Sequence, residues 1–229
     1  MTAVLFDLDG TLADTPRAIA AILGRMVPQA PAHRLAGSVG RPIAQVFADL
    51  LDAPRASAQV RAAVTLFRET FAAEVVPGAA ELVFPAIRTL LEALRDAGWP
   101  IAVVTSKSPA GAAEFLSAAR LDHYFPVTVG YVPGVPGKPA PDQALAAAHA
   151  LGVPPGECLA VGDSTDDVRM ALAAGMRPVA VTYGVAAADE LRAAGASQIA
   201  HSPEELAGLI LPAGSLPPAV VPLTAEVSS

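Results

Sequence analysis

Residues 5–12 read Leu-Phe-Asp-Leu-Asp-Gly-Thr-Leu, and this octapeptide carries more structural information than any other stretch of the chain. An apolar run over residues 3–6 stops at Asp7, a second carboxylate follows at Asp9, and Gly10 lets the chain turn. The pattern predicts a buried strand that delivers two acidic side chains to the ligand-binding edge of an open α/β sheet. Because two carboxylates this close repel each other, we expect a cation, a proton or both beside them.

Composition excludes several classes of protein. The 229 residues are 53% hydrophobic with a net charge of −7, and no apolar run reaches the roughly 18 residues of a membrane-spanning helix. No basic segment precedes the first motif as it does in a signal peptide, so we expect a cytoplasmic protein that does not engage a membrane. The single cysteine, Cys158, suits a reducing compartment. The acidic balance argues against a nucleic-acid partner, and nothing in the sequence indicates the oligomeric state.

Apolar, β-rich segments alternate with helical patterns along most of the chain. Strands are predicted at residues 3–7, 101–105, 126–131, 158–162 and 178–183. Helices are predicted at residues 109–119, 141–151, 166–174, 188–194 and 203–210. This alternation predicts an α/β protein with a Rossmann-like, doubly wound parallel sheet and helices on both faces.

One segment between the first two strands interrupts this alternation. It contains no strand pattern and is predicted to form helices near residues 15–27, 42–52, 56–75 and 85–97, with a loop at Pro77-Gly78. The last helix leads into the second strand, and the other three would form an α-helical cap that closes over the strand ends like a lid. The alternative is that these helices merely cover the sheet. The expected division is a core of residues 1–13 and 85–210, a cap of residues 14–84 hinged near residues 13–15 and 83–85, and a flexible tail of residues 211–229.

Four polar segments follow predicted strands in the sequence. They are residues 7–11, 105–107, 138–141 and 162–167. The carboxyl ends of parallel strands meet at one edge of a sheet, so these segments are expected to converge. Lys107 and Lys138 are the only lysines in the sequence, and both lie in these segments.

In this order, the four segments resemble the motifs of the haloacid dehalogenase superfamily. The resemblance covers residues 3–210 and is nearest to the capped phosphoglycolate phosphatases and β-phosphoglucomutases. It implies a Mg²⁺-dependent phosphatase that hydrolyses a small phosphorylated metabolite, phosphoglycolate-like or a sugar phosphate, through an aspartyl-phosphate. Two alternatives stay open, namely mutase-type phosphoryl transfer and a catalytically silent binding protein with the same fold.

The resemblance, together with the chemistry of phosphoryl transfer, implies roles for the residues of the motifs. Asp7 would be the nucleophile, and Asp9 would protonate the leaving oxygen and later take a proton from water. Thr105 and the backbone amide of Ser106 would hold phosphoryl oxygens. Lys138 would pair with the phosphate and with Asp7, which offsets the repulsion between the nucleophile and its target.

The same resemblance implies a Mg²⁺ site of oxygen ligands only. Asp7 and Asp163 would supply carboxylates and Asp9 its backbone carbonyl, with water completing the shell. Asp167 would support the site indirectly, through water or Lys138.

Other residues are expected to contact the substrate or support the motifs. Residues 37–42 resemble the substrate-specificity loop of the capped relatives, where Arg41 would clamp a carboxylate or a second phosphate. The alternative for Arg41 is an ordinary surface position. Lys107 would reach the same substrate group, Gly10 is assigned to substrate binding, and Thr11 would brace the turn.

Several residues separate the alternatives within the superfamily. An acid at position 9 is not needed by a dehalogenase, and no lysine before Lys107 is available for the Schiff base of phosphonate hydrolases. Mutase relatives usually carry valine in place of Thr11, so hydrolysis is favoured. One departure concerns the return from the cap, where relatives commonly have Pro-Gly and this chain has Pro85-Ala86.

Overall fold

Six parallel strands form one central sheet in the computed structural model, which describes residues 2–211. The strands are β1 (Ala3–Phe6), β2 (Ile101–Val104), β3 (Val127–Val129), β4 (Cys158–Gly162), β5 (Arg177–Val181) and β6 (Gln198–Ala200). Their order across the sheet is β3-β2-β1-β4-β5-β6, and every neighbouring pair is parallel. The predicted Rossmann-like α/β fold is therefore confirmed.

The strand order places β1 at the centre of the sheet. Its residue Phe6 lies opposite Val103 of β2 and Val161 of β4. The chain builds β2 and β3 on one side of β1 and then returns to build β4, β5 and β6 on the other side. In such sheets, the crevice at the carboxyl ends of the strands where the order reverses is the ligand-binding position, so the segments after β1 and β4 face it.

The helices cover both faces of the sheet and fill the segment after β1. They are α1 (Pro16–Met26), α2 (Ala32–Ala36), α3 (Ile43–Leu50), α4 (Ala58–Glu74), α5 (Ala79–Leu82), α6 (Ile87–Asp96), α7 (Pro109–Ala118), α8 (Asp142–Leu151), α9 (Thr165–Ala173), α10 (Ala188–Ala194) and α11 (Pro203–Ile210). The predicted helices match these within a few residues, whereas β6, α2 and α5 were not predicted. At Pro77-Gly78 the predicted loop is a 3₁₀ turn over Val76–Gly78. No helix in the described part of the chain is long and apolar enough to cross a bilayer.

Helices α1 to α5 form an insertion whose two ends lie side by side. Ala13 and Val83 pair as an antiparallel bridge, and the Asp14 amide donates to the Leu82 carbonyl at 2.8 Å. Beyond this bridge, Ala86 caps the start of α6 in the left-handed region with φ of 63°. The division into a cap of residues 14–84 and a core stays a prediction, and the predicted tail lies outside the described residues apart from residue 211.

Aromatic side chains connect the insertion to the helices beside the sheet. Phe47 of α3 contacts Phe67 of α4 edge-on, Phe67 stacks on Phe71, and Phe71 lies 6.2 Å from Phe115 of α7, measured between ring centroids. All four rings belong to one buried cluster that also contains Phe6 of β1. The insertion therefore shares its core with the sheet rather than standing apart from it.

Candidate active site

The crevice at the centre of the sheet edge holds three buried carboxylates. Asp7 directly follows β1, Asp163 directly follows β4, and Asp167 lies in the first turn of α9. They are between 2% and 6% exposed, and one carboxylate oxygen from each lies within 4.8 Å of the others. The fold brings them together because β1 and β4 are neighbours in the sheet and their carboxyl ends face the same crevice.

Lys138 bridges two of these carboxylates from the loop before α8. Its Nζ lies 2.5 Å from Asp7 Oδ1 and 2.6 Å from Asp167 Oδ1. Burial alone would lower the pKa of Lys138, but the charges of Asp167 and Asp7 outweigh it and raise this pKa above its ordinary value. The lysine is therefore held in its charged form beside the predicted nucleophile.

The carboxylates themselves are held where ionisation is costly. The pKa of Asp7 is raised to about 7, chiefly by burial and also by the charges of Asp167 and Asp9, against the lowering effect of Lys138. The pKa of Asp163 also lies well above its usual value, because of burial and the charges of Asp7 and Asp167. A single lysine faces three carboxylates, so the cluster carries excess negative charge in a buried place.

Two glycines make room for Asp163. A Cβ on Gly10 or on Gly184 would lie 2.1 Å from Asp163 Oδ2, so neither position tolerates a side chain. Asp163 also accepts hydrogen bonds from the Val185 amide at 2.8 Å and from the Thr11 hydroxyl at 3.3 Å. Gly10, assigned above to substrate binding, and Thr11 thus both lie against Asp163.

Asp167 is fixed by a capping box at the start of α9. The Ser164 amide donates to Asp167 Oδ2 at 3.1 Å, and the Asp167 amide donates back to the Ser164 hydroxyl at 3.2 Å. A Cβ on Gly162 would lie 2.3 Å from the Asp167 side chain. Our prediction of site residues omitted Ser164 and Gly162, although the Ser-x-x-Asp spacing was a signal for the cap.

The donor set of this cluster fits the predicted metal. Mg²⁺ prefers oxygen ligands, and three converging carboxylates with excess negative charge provide them. The structure brings Asp7 and Asp163 together as expected, and it places the Asp167 carboxylate in the same group rather than behind it. The Asp9 carboxylate lies outside this group, and the ligand role of its backbone carbonyl stays a prediction.

Asp9 points toward the insertion instead. Its Oδ1 accepts a hydrogen bond from the hydroxyl of Thr15, the residue that precedes α1, and lies 3.0 Å from Lys107 Nζ. The ammonium group of Lys107 also lies 4.0 Å from the centre of the Phe71 ring of α4. Lys107, expected to reach the substrate, is thus placed on the predicted catalytic acid and on the insertion. Thr15 was predicted only as part of a hinge, not as a site residue.

Hydrogen bonds to Thr105 hold the loop after β2 in place. The Thr105 hydroxyl accepts a hydrogen bond from the Lys107 amide at 3.2 Å. Gln143 of α8 donates its side-chain amide to the Thr105 carbonyl at 3.0 Å, a contact that the helical pattern did not reveal. The hydroxyl of Ser106 is buried and has no hydrogen-bond partner among the described residues, so it is free to bind a ligand.

A cavity of about 270 Å³ separates this loop from the insertion. Asp9, Ser106 and Lys107 line it from the sheet side, and Arg41 lines it from the insertion. The Arg41 guanidinium, however, lies 2.5 Å from the exposed carboxylate of Asp49. Arg41, the predicted substrate clamp, therefore borders the cavity, but its guanidinium is paired with Asp49 of α3.

Comparison with known proteins agrees with this geometry. Residues 1–175 match the family model described as haloacid dehalogenase-like hydrolase. The chain belongs to this family. It is 36% identical over 210 residues to "Probable phosphatase IndB" of Dickeya dadantii, covering 90% of this chain and 91% of that protein. It is 35% identical over 225 residues to the plasmid phosphoglycolate phosphatase of Cupriavidus necator, covering 95% and 96%.

A solved member of comparable architecture is a hydrolase from Pseudomonas syringae. Its crystal structure superposes with a TM-score of 0.80 at 25% identity, covering 91% of this chain and 97% of that one. The predicted haloacid dehalogenase membership is confirmed, and with it the expectation of a hydrolase with phosphatase relatives. In this family member, the buried acid beside a fixed lysine can attack an electrophile, and the second acid at the cavity can transfer protons.

Proposed function

We propose that this protein is a Mg²⁺-dependent phosphatase that hydrolyses a small phosphate monoester, phosphoglycolate-like or a sugar phosphate, through a phosphorylated Asp7. The observation that carries the proposal is the contact of Asp7 with Lys138 at 2.5 Å, in a cluster with Asp163 and Asp167 at the centre of the sheet edge. The named phosphatase activity of relatives at 36% and 35% identity supports the same chemistry.

Asp7 acts as the nucleophile. Its carboxylate oxygen forms a bond to phosphorus while the bond from phosphorus to the ester oxygen breaks. Lys138 offsets the repulsion between this carboxylate and the phosphoryl oxygens, and the buried position keeps the attacking atom fixed on the end of β1. Thr105 and the Ser106 amide hold the phosphoryl oxygens during the transfer.

Asp9 moves the proton of each step. It gives a proton to the departing ester oxygen, and it later accepts one from the water that releases phosphate from Asp7. The contacts with Thr15 and Lys107 set its direction at the cavity floor. Mg²⁺, held by the Asp7 and Asp163 carboxylates with the Asp9 carbonyl and supported by Asp167, would neutralise charge on the phosphoryl group.

Residues 14–84 act as a cap in this proposal. The cavity between the insertion and the β2 loop receives the alcohol part of the ester, and closure over it excludes bulk water. The free, buried thiol of Cys158 supports action in the cytoplasm. A closed cap would exclude macromolecules, which favours a small metabolite as substrate.

Phosphate release with and without Mg²⁺ tests the proposal. We expect turnover of small phosphate esters that EDTA abolishes and that Asp7→Asn lowers by at least about a thousandfold. Asp166→Asn is the matched control, because Asp166 neighbours the cluster in sequence but pairs with Arg169 on the surface of α9. Release that persists in Asp7→Asn, or that is absent from the folded wild type with every ester, would contradict the proposal.

A further inference from the structure

The 270 Å³ cavity has two unlike sides. Its floor on the sheet side is polar, with Asp9, Ser106 and Lys107. The facing wall belongs to the insertion and is largely apolar, built from Ile19, Ile43, Ala44, Phe67 and Phe71. The volume corresponds to about nine water molecules at roughly 30 Å³ each. A two-carbon leaving group would fill only a small part of this space.

The positive charges around the cavity are already engaged or lie at its rim. Lys107 pairs with Asp9 at 3.0 Å, and Arg41 pairs with Asp49 at 2.5 Å. The third lining cation, Arg68, is exposed, and the carboxylate of Glu114 lines the same mouth. No described residue therefore offers the cavity interior a buried cation without a partner, and a carboxylate placed there would lack its counter-charge.

The wall offers contacts of another kind. The rings of Phe67 and Phe71 are 6.1 Å apart and inclined by 26°, and each is 7% exposed. Both are held by buried neighbours, so their positions are fixed before a ligand arrives. Lys107 Nζ already lies 4.0 Å from the centre of the Phe71 ring, so a planar ligand ring can contact only the small exposed part of the two side chains, in an offset or edge-to-face arrangement.

We infer that the leaving group of the substrate is an uncharged alcohol that carries a planar, apolar ring, in preference to a short alcohol that carries a carboxylate. This inference rests on the proposed phosphatase function, and it shifts the expected substrate away from phosphoglycolate and sugar phosphates. The phosphate lies at Asp7 and Lys138, the ester oxygen lies near Asp9, and the ring extends against Phe67 and Phe71.

Two phosphonates that cannot be hydrolysed test the inference by binding alone. Benzylphosphonate and phosphonoacetate share the phosphonate and methylene groups and differ in a phenyl ring against a carboxylate. With Mg²⁺ present, calorimetry on the wild type is expected to give a Kd at least about tenfold lower for benzylphosphonate, the scale on which an apolar pocket discriminates. Equal affinities, or tighter binding of phosphonoacetate, would overturn the inference.

A substitution in the apolar wall of the cavity tests where the ligand ring binds. Ala44→Phe fills the cavity from α3 and is expected to weaken benzylphosphonate binding about tenfold. Methylphosphonate, which has no ring, should bind this variant as it binds the wild type. Gln45→Phe is the matched control, because Gln45 is the next residue of α3 and does not line the cavity. Unchanged benzylphosphonate binding in folded Ala44→Phe would overturn the placement of the ring.

Turnover separates this inference from the proposed function. Faster Mg²⁺-dependent hydrolysis of benzyl phosphate than of 2-phosphoglycolate supports both. Faster hydrolysis of 2-phosphoglycolate overturns the inference and leaves the phosphatase standing. If neither ester is hydrolysed, the wider ester panel decides the phosphatase proposal, and the ratio of the two phosphonate affinities still decides whether the cavity prefers a ring.

Discussion

Each lysine of the chain pairs with one acid of the Asp-x-Asp motif, yet the two pairs have different surroundings. Lys138 contacts Asp7 and Asp167 and is 3% exposed at its side chain, and all three residues belong to the α/β region. Lys107 contacts Asp9 and the Phe71 ring, and Asp9 also accepts a hydrogen bond from the Thr15 hydroxyl. Thr15 and Phe71 both belong to the insertion or its start. Asp7, the proposed nucleophile, is thus positioned by the α/β region alone, whereas Asp9, the proposed acid, is positioned jointly by the α/β region and the insertion.

This difference predicts separate consequences for chemistry and for closure. A shift of the insertion would leave Asp7 and its lysine in place but would move the groups around Asp9. If the proposed roles hold, we predict that proton transfer, rather than nucleophilic attack, depends on whether the insertion is closed.

Of the two lysine substitutions, Lys138→Met is expected to have the larger effect. The enzyme should lose about 100- to 1000-fold in kcat, as after removal of a donor from a transition-state site. The metal-free protein should lose about 3–5 kcal/mol of unfolding free energy, because buried carboxylates lose their partner. Steady-state kinetics and urea denaturation measure the two effects. A variant with nearly wild-type kcat would show that Lys138 has only a structural role.

Lys107→Met should have a smaller and different effect. Because Lys107 acts through Asp9, we expect kcat to fall about tenfold with KM nearly unchanged. The methionine preserves packing against Phe71. The opposite pattern, a raised KM at unchanged kcat, would show that Lys107 binds the substrate, as its sequence position predicts.

Asp7→Asn should abolish activity but raise the unfolding free energy of the metal-free protein. The pKa of Asp7 is about 7 in the folded state against an ordinary 3.8. Because folding raises this pKa, the neutral acid is favoured, and stability from this group is lost as pH rises from about 4 to about 7. The variant should lose this dependence and gain about 1–3 kcal/mol above pH 7. Urea denaturation across this pH range in EDTA checks the prediction, and parallel curves for variant and wild type would refute it.

The smallest effect concerns the return of the chain from the insertion to the sheet. Ala86 has φ of 63°, a conformation that glycine adopts without strain, so Ala86→Gly should stabilise the protein by about 0.5–1 kcal/mol. Ala97→Gly, at the other end of α6 with φ of −78°, should instead destabilise it. Thermal denaturation compares them, and equal shifts would show that the left-handed conformation of Ala86 carries no strain.

The sequence was most informative where strands position the residues. Asp7 and Asp163 directly follow buried strands that read as continuous apolar runs, so the amino-acid pattern alone was enough to infer that they converge. Lys138 lies in a loop, and its motif rather than any periodicity indicated its place.

The missed features depend on contacts between distant segments. Gln143 of α8 donates a hydrogen bond to the Thr105 carbonyl. Lys107 contacts Asp9 on one side and the Phe71 ring of the insertion on the other. Short elements such as β6, with three residues, depend on their neighbours for stability, so local patterns do not predict them. The apolar wall of the cavity follows from how α3 and α4 are rotated toward the sheet, which is set by packing.

The bridge between Ala13 and Val83 bears on how such a chain can change. Since the insertion begins and ends at adjacent points, a short turn would suffice to close the α/β chain without it. We predict that another helical segment could replace residues 14–82 only if it restored the packing of Phe71 on Phe115, because the insertion shares its core with the sheet. On the proposed function, the site at the end of β1 could in this way be combined with different insertions, each entering and leaving through a single junction.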